Sequence, residues 1–278
     1  MHFRSAMAVS AALSEKYSGC RAAVAMACLA LVWAFAGAGG ASAQDLPGSL
    51  VYLRAIAPEI LQDMRYAGAD NFTGRPVPGY GAAECILTRP AAEALARVQK
   101  ELAARKLTLK VFDCYRPLRA VRAFMSWADD PNSSPPTKFF YPRLEKRQLV
   151  GLGYIARHSI HSRGTAVDLT IAEPGESGKG ESGGRTARGS CTDPAGLRGT
   201  RDEVDMGTSF DCFDVRSHTR ASGLTADQRR WRQTLVDAMA RQGFLNYWRE
   251  WWHFTYEPSG GGPAFDVPIV AQTTGAKH

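Results

Sequence analysis

The chain of 278 residues is 45% apolar and 22% charged, with 27 Gly and 15 Pro, which excludes wholesale disorder and leaves ample length for a core. Its net charge of +7 is scattered rather than gathered into a basic stripe, so nucleic acid is not the expected partner.

At the N-terminus, Arg4, Lys16 and Arg21 precede the apolar run "AAVAMACLALVWAFAGA", and the small-residue site Ala41-Ser42-Ala43 follows. This pattern reads as a cleavable secretory signal over 1–43, with Gln44 as the mature N-terminus. An uncleaved membrane anchor is the rival reading, opposed by the shortness of the run and by the cleavage site. Cleavage leaves 235 residues, enough for one large domain (44–278), and removes Arg4, Lys16, Arg21 and Glu15, lowering the net charge by two to +5. The expected location is periplasmic or secreted, with no stable membrane insertion after cleavage. Cys20 and Cys28 leave with the leader, while Cys85, Cys114, Cys191 and Cys212 remain. Four cysteines in an exported chain suggest two disulfides, with three connectivities open. No CxxC pair occurs, which argues against a thiolate zinc site.

In "PAAEALARVQKELAAR" (90–105), Ala91, Leu95, Val98 and Leu102 share one helical face, and Pro90 stands near the start. The alternation of Leu107, Leu109 and Val111 in "LTLKVFD" predicts a half-buried strand that delivers the chain to "CYRPLRA". Pro117 opens a second predicted helix, running to about Asp129, and the Pro-rich loop "DPNSSPPTKFFYP" follows.

"HSIHSRGTAVDLT" (158–170) places His161 and Asp168 on either side of a Gly-containing turn. In "TAVDLTI" the aliphatic Val167, Leu169 and Ile171 alternate with Ala166, Asp168 and Thr170, so Asp168 sits on a strand but outside its apolar layer. From about 173 to 201 the composition turns to Gly, Ser, Arg and Glu, and a long surface insertion is expected. Thr225-Ala226-Asp227-Gln228 has the form of a capping box, opening a helix with Trp231, Leu235, Ala238 and Met239 on its apolar face and an end near Gly243. The last strand signal is "WWHFTY" (251–256), with Trp251, His253 and Thr255 on one face. Without a regular βαβ rhythm, the elements point to a single α+β domain built on a largely antiparallel central sheet flanked by helices.

A catalytic zinc takes three protein ligands and keeps the fourth position for water. His161, Asp168 and His253 supply that set, with His158 the nearest local competitor. Glu250 precedes His253 by three residues, so it must occupy a bend if its carboxylate is to act as a base beside the metal. Arg116, at the end of a core strand in "DCYRP", offers a permanent cation to an oxyanion.

"SIHSRGTAVDLT" matches the Ser-x-His-x-x-Gly-x-Ala-x-Asp pattern of the zinc D,D-peptidases, and "EWWH" their Glu-x-x-His. Taken in order, "RYAGADNFTGRPVPGY", "DCYRPLRAVRAFMSWA", "HSRGTAVDLT", "MGTSFDCFD" and "EWWHF" resemble the VanX-type D-alanyl-D-alanine dipeptidases, from about Arg65 to the C-terminal region. The resemblance implies the fold that D,D-peptidases share with hedgehog domains, and one zinc per chain on His161, Asp168 and His253. It also implies that Glu250 is the general base and later the proton donor, that Arg116 stabilises the tetrahedral intermediate, that Tyr66 and Asp211 hold the free ammonium of a small dipeptide, and that Ser159 lies beside its carboxylate. Ile160 departs from the pattern, since many relatives carry a second Ser there, and the Gly-rich insertion and the cysteines are further departures.

Because Cys114 stands beside Arg116 and Cys212 adjoins Asp211 just after the insertion that contains Cys191, the expected pairs are Cys85–Cys114 and Cys191–Cys212. The expected activity is hydrolysis of D-Ala-D-Ala. Rival readings are a D,D-carboxypeptidase or endopeptidase acting on longer peptidoglycan peptides, and a non-catalytic zinc- or peptidoglycan-binding module. Tyr66 and Asp211 favour the dipeptidase, because a longer substrate has no ammonium at that place.

Overall fold

The computed structural model describes residues 46–132, 135–173, 189–198 and 202–272. The expected leader and the larger part of the Gly-rich insertion lie outside them. A short strand β1 (Leu50–Tyr52) runs into the one-turn helix α1 (Leu53–Ile56), and β2 (Leu61–Gln62) follows. Next come β3 (Ile86–Thr88) and helix α2 (Arg89–Ala103), whose first turn holds Pro90 where its missing N–H costs nothing. Ala91, Leu95, Val98 and Leu102, the predicted apolar face, are all buried.

Strand β4 (Thr108–Asp113), helix α3 (Leu118–Asp129), strand β5 (Ala166–Ala172) and the one-turn helix α4 (Ala195–Arg198) come next, then helix α5 (Ala226–Ala240) and strands β6 (Phe244–Asn246) and β7 (His253–Tyr256). The capping box at α5 is formed: the Thr225 hydroxyl accepts from Gln228 N, and the Gln228 side chain accepts from Thr225 N. Five strands form one sheet in the order β2-β4-β5-β7-β6, parallel only between β2 and β4, and β1 pairs with β3 in a separate antiparallel ribbon. Helices α2 and α5 pack on each other and against this sheet, which makes the α+β layering expected from the sequence.

Two local expectations change, and a third gains detail. The strand at 107–113 is not half-buried, because it lies between β2 and β5 and both its faces are covered. The final strand begins at His253, not at Trp251, so these two residues do not share a strand face; Trp251 lies in the preceding turn. The described end of the insertion lies at the surface as expected but is pinned at two points: Cys191 is buried in a disulfide with Cys212, and Arg198 is buried with its guanidinium on the Asp205 carboxylate. Composition gave the exposed character of the segment, while the covalent tie and the buried cation that anchor its two ends left no signal in it.

Candidate active site

The site starts from an irregularity in β4. Leu109 pairs with Ile171 and Val111 with Leu169, but Asp113 then pairs with Asp168, so the register shifts between Val111 and Asp113. This bulge spends one extra residue, Phe112, and brings the Asp113 side chain to the face that carries Asp168. Asp168 in turn pairs with His253 on β7. Residues directly opposite on neighbouring strands share a face, so Asp113, Asp168 and His253 form one row across three strands.

His161 reaches this row from a 3-10 turn, Ile160–Arg163, closed by Gly164 in the left-handed region at φ 70°. The left-handed turn favours glycine here, and a Cβ on Gly164 would also push aside the tip of Leu50, whose Cδ2 it would meet at 2.6 Å. The turn is tied to the substrate side by the bond from Arg116 N to His161 O, 3.2 Å. His161 Nδ1 donates to the Cys114 carbonyl at 2.7 Å, which leaves Nε2 with its lone pair facing the row.

The three donor atoms converge. His161 Nε2 lies 3.1 Å from His253 Nδ1 and 3.4 Å from Asp168 Oδ1, and His253 Nδ1 lies 2.9 Å from Asp168 Oδ1. Donors at about 2.0–2.2 Å from a tetrahedral ion stand about 3.3–3.6 Å apart, so the triangle fits a divalent cation after opening by a few tenths of an ångström. Burial by itself would raise the Asp168 pKa, but the two imidazoles outweigh it and hold the carboxyl well below the usual range, ionised as a ligand must be. Among the described residues this is the one grouping of three His, Cys, Asp or Glu side chains close enough to share an ion.

Glu250 stands at the bend the sequence required. Its N–H bonds Tyr247 O at 2.9 Å and its carbonyl accepts from His253 N at 3.2 Å, so two consecutive turns bring it round to its partner. The carboxylate ends 3.9 Å from His253 Nδ1, beside the donor triangle but outside it. Burial, with a smaller push from the Asp168 charge, raises its pKa to about 7, the range in which a carboxylate both takes and returns a proton at neutral pH.

Arg116 is held by Asp113, whose Oδ2 accepts from Nε at 2.9 Å and from Nη2 at 2.7 Å. Asp113 Oδ1 accepts from the Tyr80 hydroxyl at 2.6 Å, and its carboxylate also lies 3.5 Å from His161 Nδ1. The guanidinium packs over the rings of Tyr66 and Phe124, with its Nη2 3.7 Å from Asp168. Burial acts to lower its pKa, but Asp113 together with Tyr66, Tyr80 and Asp168 more than offsets this and keeps Arg116 a cation.

Beyond Arg116, the Tyr66 hydroxyl donates to Asp211 Oδ2 at 2.8 Å. Tyr66 sits among Phe72, Tyr80 and Phe124, and its phenol is raised well above its ordinary pKa by burial and by the Asp211 charge, so it remains a neutral donor. Asp211 is only 5% exposed and occupies a left-handed conformation at φ 58°, which an Asp tolerates better than most residues. Burial raises its pKa well above the usual carboxylate value, with Asp168 adding to the effect, so its ionised form is disfavoured unless a cation stands beside it.

The structure thus brings His161, Asp168, His253, Glu250, Arg116, Tyr66 and Asp211 into one neighbourhood. Ser159 is half-buried two residues before His161, and its hydroxyl does not cap the turn that follows it. His158, the competing ligand, is exposed and outside the cluster. Cys85 is bonded to Cys114 and Cys191 to Cys212, so one disulfide anchors the carbonyl that orients His161 and the other adjoins Asp211. Sequence reasoning missed Asp113 and Tyr80. The signal for Asp113 was its place three residues before Arg116 at the end of an apolar strand, and for Tyr80 its place within "RYAGADNFTGRPVPGY".

The model of the D-Ala-D-Ala dipeptidase family, peptidase family M15, matches residues 48–185 and 180–270. The D-alanyl-D-alanine dipeptidase of Enterococcus faecium is 33% identical over 220 residues, spanning 78% of this chain and 96% of its own. That of Streptomyces coelicolor is 31% identical over 226 residues, 81% of this chain and all of its own, and that of Escherichia coli is 30% identical over 214 residues, 77% and 88%. With an ordered set of motifs, a matching donor triangle and relatives aligned over almost their full length, this chain belongs to the D-Ala-D-Ala dipeptidase family of metallopeptidases.

Proposed function

We propose that this chain is an exported zinc dipeptidase that hydrolyses free D-Ala-D-Ala. The observation that carries the reading is the buried Tyr66–Asp211 pair, with the Arg116 guanidinium packed over the Tyr66 ring and its Nη2 3.7 Å from Asp168 of the donor triangle. The names of the relatives support the substrate. A set of two imidazoles and one carboxylate is a usual one for catalytic zinc, which when bound supplies a Lewis acid and a water of lowered pKa.

The protein's own residues do the rest. Glu250 takes the proton of the attacking water and returns it to the leaving amine, a two-way duty suited to its raised pKa. Arg116, locked by Asp113, presents a cation to the oxyanion that develops on the scissile carbonyl. Asp211 receives the ammonium of the dipeptide, and Tyr66 holds the carboxylate in place for it; a cation there offsets the burial that otherwise disfavours the ionised form. Ser159, ahead of the His161 turn, faces the free carboxylate of the substrate. The leader-like N-terminus and the two disulfides support an oxidising compartment. Sequencing the N-terminus of the exported protein tests that part, with Gln44 expected first.

The activity is tested by product analysis on three substrates. Free D-Ala-D-Ala is expected to be cleaved, and N-acetyl-D-Ala-D-Ala and pentapeptide stems ending in D-Ala-D-Ala are not, because acylation removes the charge and leaves Asp211 desolvated without a partner. Comparable turnover of free and acylated dipeptide points to a carboxypeptidase, and no turnover of either by the zinc-loaded protein points to a binding module.

A further inference from the structure

Asp211 stands near the apex of the loop from Asp205 to His218, which has no regular structure apart from one 3-10 turn at Val215–Ser217. A single side chain on α5 closes the neck of that loop. Arg232, 1% exposed, donates from Nε to Met206 O at 2.7 Å, from Nη1 to His218 O at 2.6 Å and from Nη2 to Arg216 O at 2.9 Å. One acceptor belongs to the incoming arm and two to the outgoing arm. All three are backbone carbonyls. Burying a guanidinium without a carboxylate is a costly way to stabilise a fold, and the planar fork fixes direction in a way that an apolar residue of equal volume does not.

The same frame reaches the catalytic turn. Trp251, the residue after Glu250, donates from its indole to Thr208 Oγ1 at 2.8 Å and from its backbone N–H to Ser217 O at 3.1 Å. Thr208 Oγ1 and Ser217 Oγ are 3.1 Å apart, and Ser217 Oγ donates to the carbonyl of Cys212, next to Asp211, at 2.6 Å. Lower down, Asp205 is bonded by Gln228 Nε2 and Gly207 N, each at 2.8 Å.

We infer that Arg232 is a positioning residue, holding the Asp211 loop in register with the Glu250 turn and so setting the preference for a substrate with a free ammonium. The inference rests on the reading of Asp211 as the ammonium-binding carboxylate. It makes α5, which contributes no group to the site, the element that decides where the recognition carboxylate stands relative to the base. Relaxing the neck shifts Asp211 more than Glu250, whose turn has its own bonds to Tyr247 and His253 besides those Trp251 makes to the loop.

The test uses the zinc-loaded full-length protein with Arg232→Gln and Arg232→Lys. For Arg232→Gln, kcat/KM on free D-Ala-D-Ala is expected to fall by about 100-fold, mostly through KM, since displacement of a positioning group by about 1 Å has that consequence. The preference for free over N-acetylated dipeptide shrinks, zinc content stays at the wild-type level, and Arg232→Lys recovers part of the loss. Hydrogen exchange then shows faster amide exchange over 207–217 with no change over 166–172. Wild-type KM and wild-type loop protection in a folded Arg232→Gln protein overturn the inference. A uniform fall in kcat with unchanged KM and unchanged substrate preference also overturns it, because that is what a purely structural role produces. If Arg232→Gln does not fold, Arg232→Lys and Thr208→Val, which weaken the same frame, take the same measurements. A wild-type protein that does not cleave D-Ala-D-Ala defeats the functional reading instead, and the exchange measurement still decides whether Arg232 clamps the loop.

Discussion

The row of side chains across the sheet and the loop that carries Asp211 are built in opposite ways. Asp113, Asp168 and His253 lie on neighbouring strands, where ladder hydrogen bonds fix the backbone and the period of two fixes the face; a single bulge is the only adjustment. Asp211 lies on an irregular segment whose shape depends on side chains reaching its carbonyls, on a left-handed residue and on a disulfide. Two of the three groups of the donor triangle, Asp168 and His253, take their spacing from the sheet, and His161 is brought to them by the Gly164-closed turn and its bond to the Cys114 carbonyl. Asp211 stands on a segment outside the sheet, and its position is set by bonds added one at a time.

If that contrast holds, damage to the row destroys chemistry and damage to the loop alters selection. The largest expected effect is that of Glu250→Gln, which lowers turnover by about 100- to 10,000-fold. Because Glu250 lies outside the donor triangle, elemental analysis should find full zinc in that variant, and a loss of metal would move Glu250 into the ligand set. Next is Asp113→Asn, which weakens the hold on Arg116 and the surroundings of His161. Supporting partners of this kind cost about 10- to 100-fold in activity or metal affinity when lost. KM for the dipeptide should change less than kcat, and the reverse pattern would mean that Asp113 belongs to recognition.

The two disulfides separate the regions directly. Replacing both cysteines of either pair by serine should cost about 3 kcal/mol in stability, given loops closed over 29 and 21 residues. Loss of Cys85–Cys114 should also weaken zinc binding, since the Cys114 carbonyl orients His161. Loss of Cys191–Cys212 should instead raise KM for the dipeptide, and identical kinetic profiles for the two double variants would erase the distinction.

The smallest effect concerns pH. Burial raises the folded-state pKa of Asp211, so its contribution favours the folded protein at pH values below the unfolded pKa and is lost as pH rises through the folded one. In the metal-free protein, Asp211→Asn should therefore raise Tm relative to wild type, and the gain should grow from pH 5 to pH 8. A gain that is flat with pH would show that Asp211 is not a buried carboxylate waiting for a cation.

Much of this protein was legible in the amino-acid sequence because the relevant signals are local. The face of α2 with Leu95, Val98 and Leu102, the Thr225–Gln228 capping box, and the strand that sets Asp168 apart from Val167 and Leu169 are periodic or nearest-neighbour features, and short-range geometry alone creates them. The Gly164 turn between His161 and Asp168, and the bend needed at Glu250, follow from the same reasoning. Other features depend on partners far away in the chain. The bulge that turns Asp113 toward Asp168 exists only against the register of β5, the Tyr80–Asp113 bond spans 33 residues, and burial of Arg198 and Cys191 runs against the composition around them. Trp251 reads as a strand residue by alternation, yet its indole bonds Thr208, 43 residues earlier, and this holds it in a turn. Periodicity specifies which side of an element a residue occupies, whereas which carbonyl a buried guanidinium or indole meets is decided only when distant segments pack, because hydrogen bonds of burial-driven partners leave no spacing in the chain.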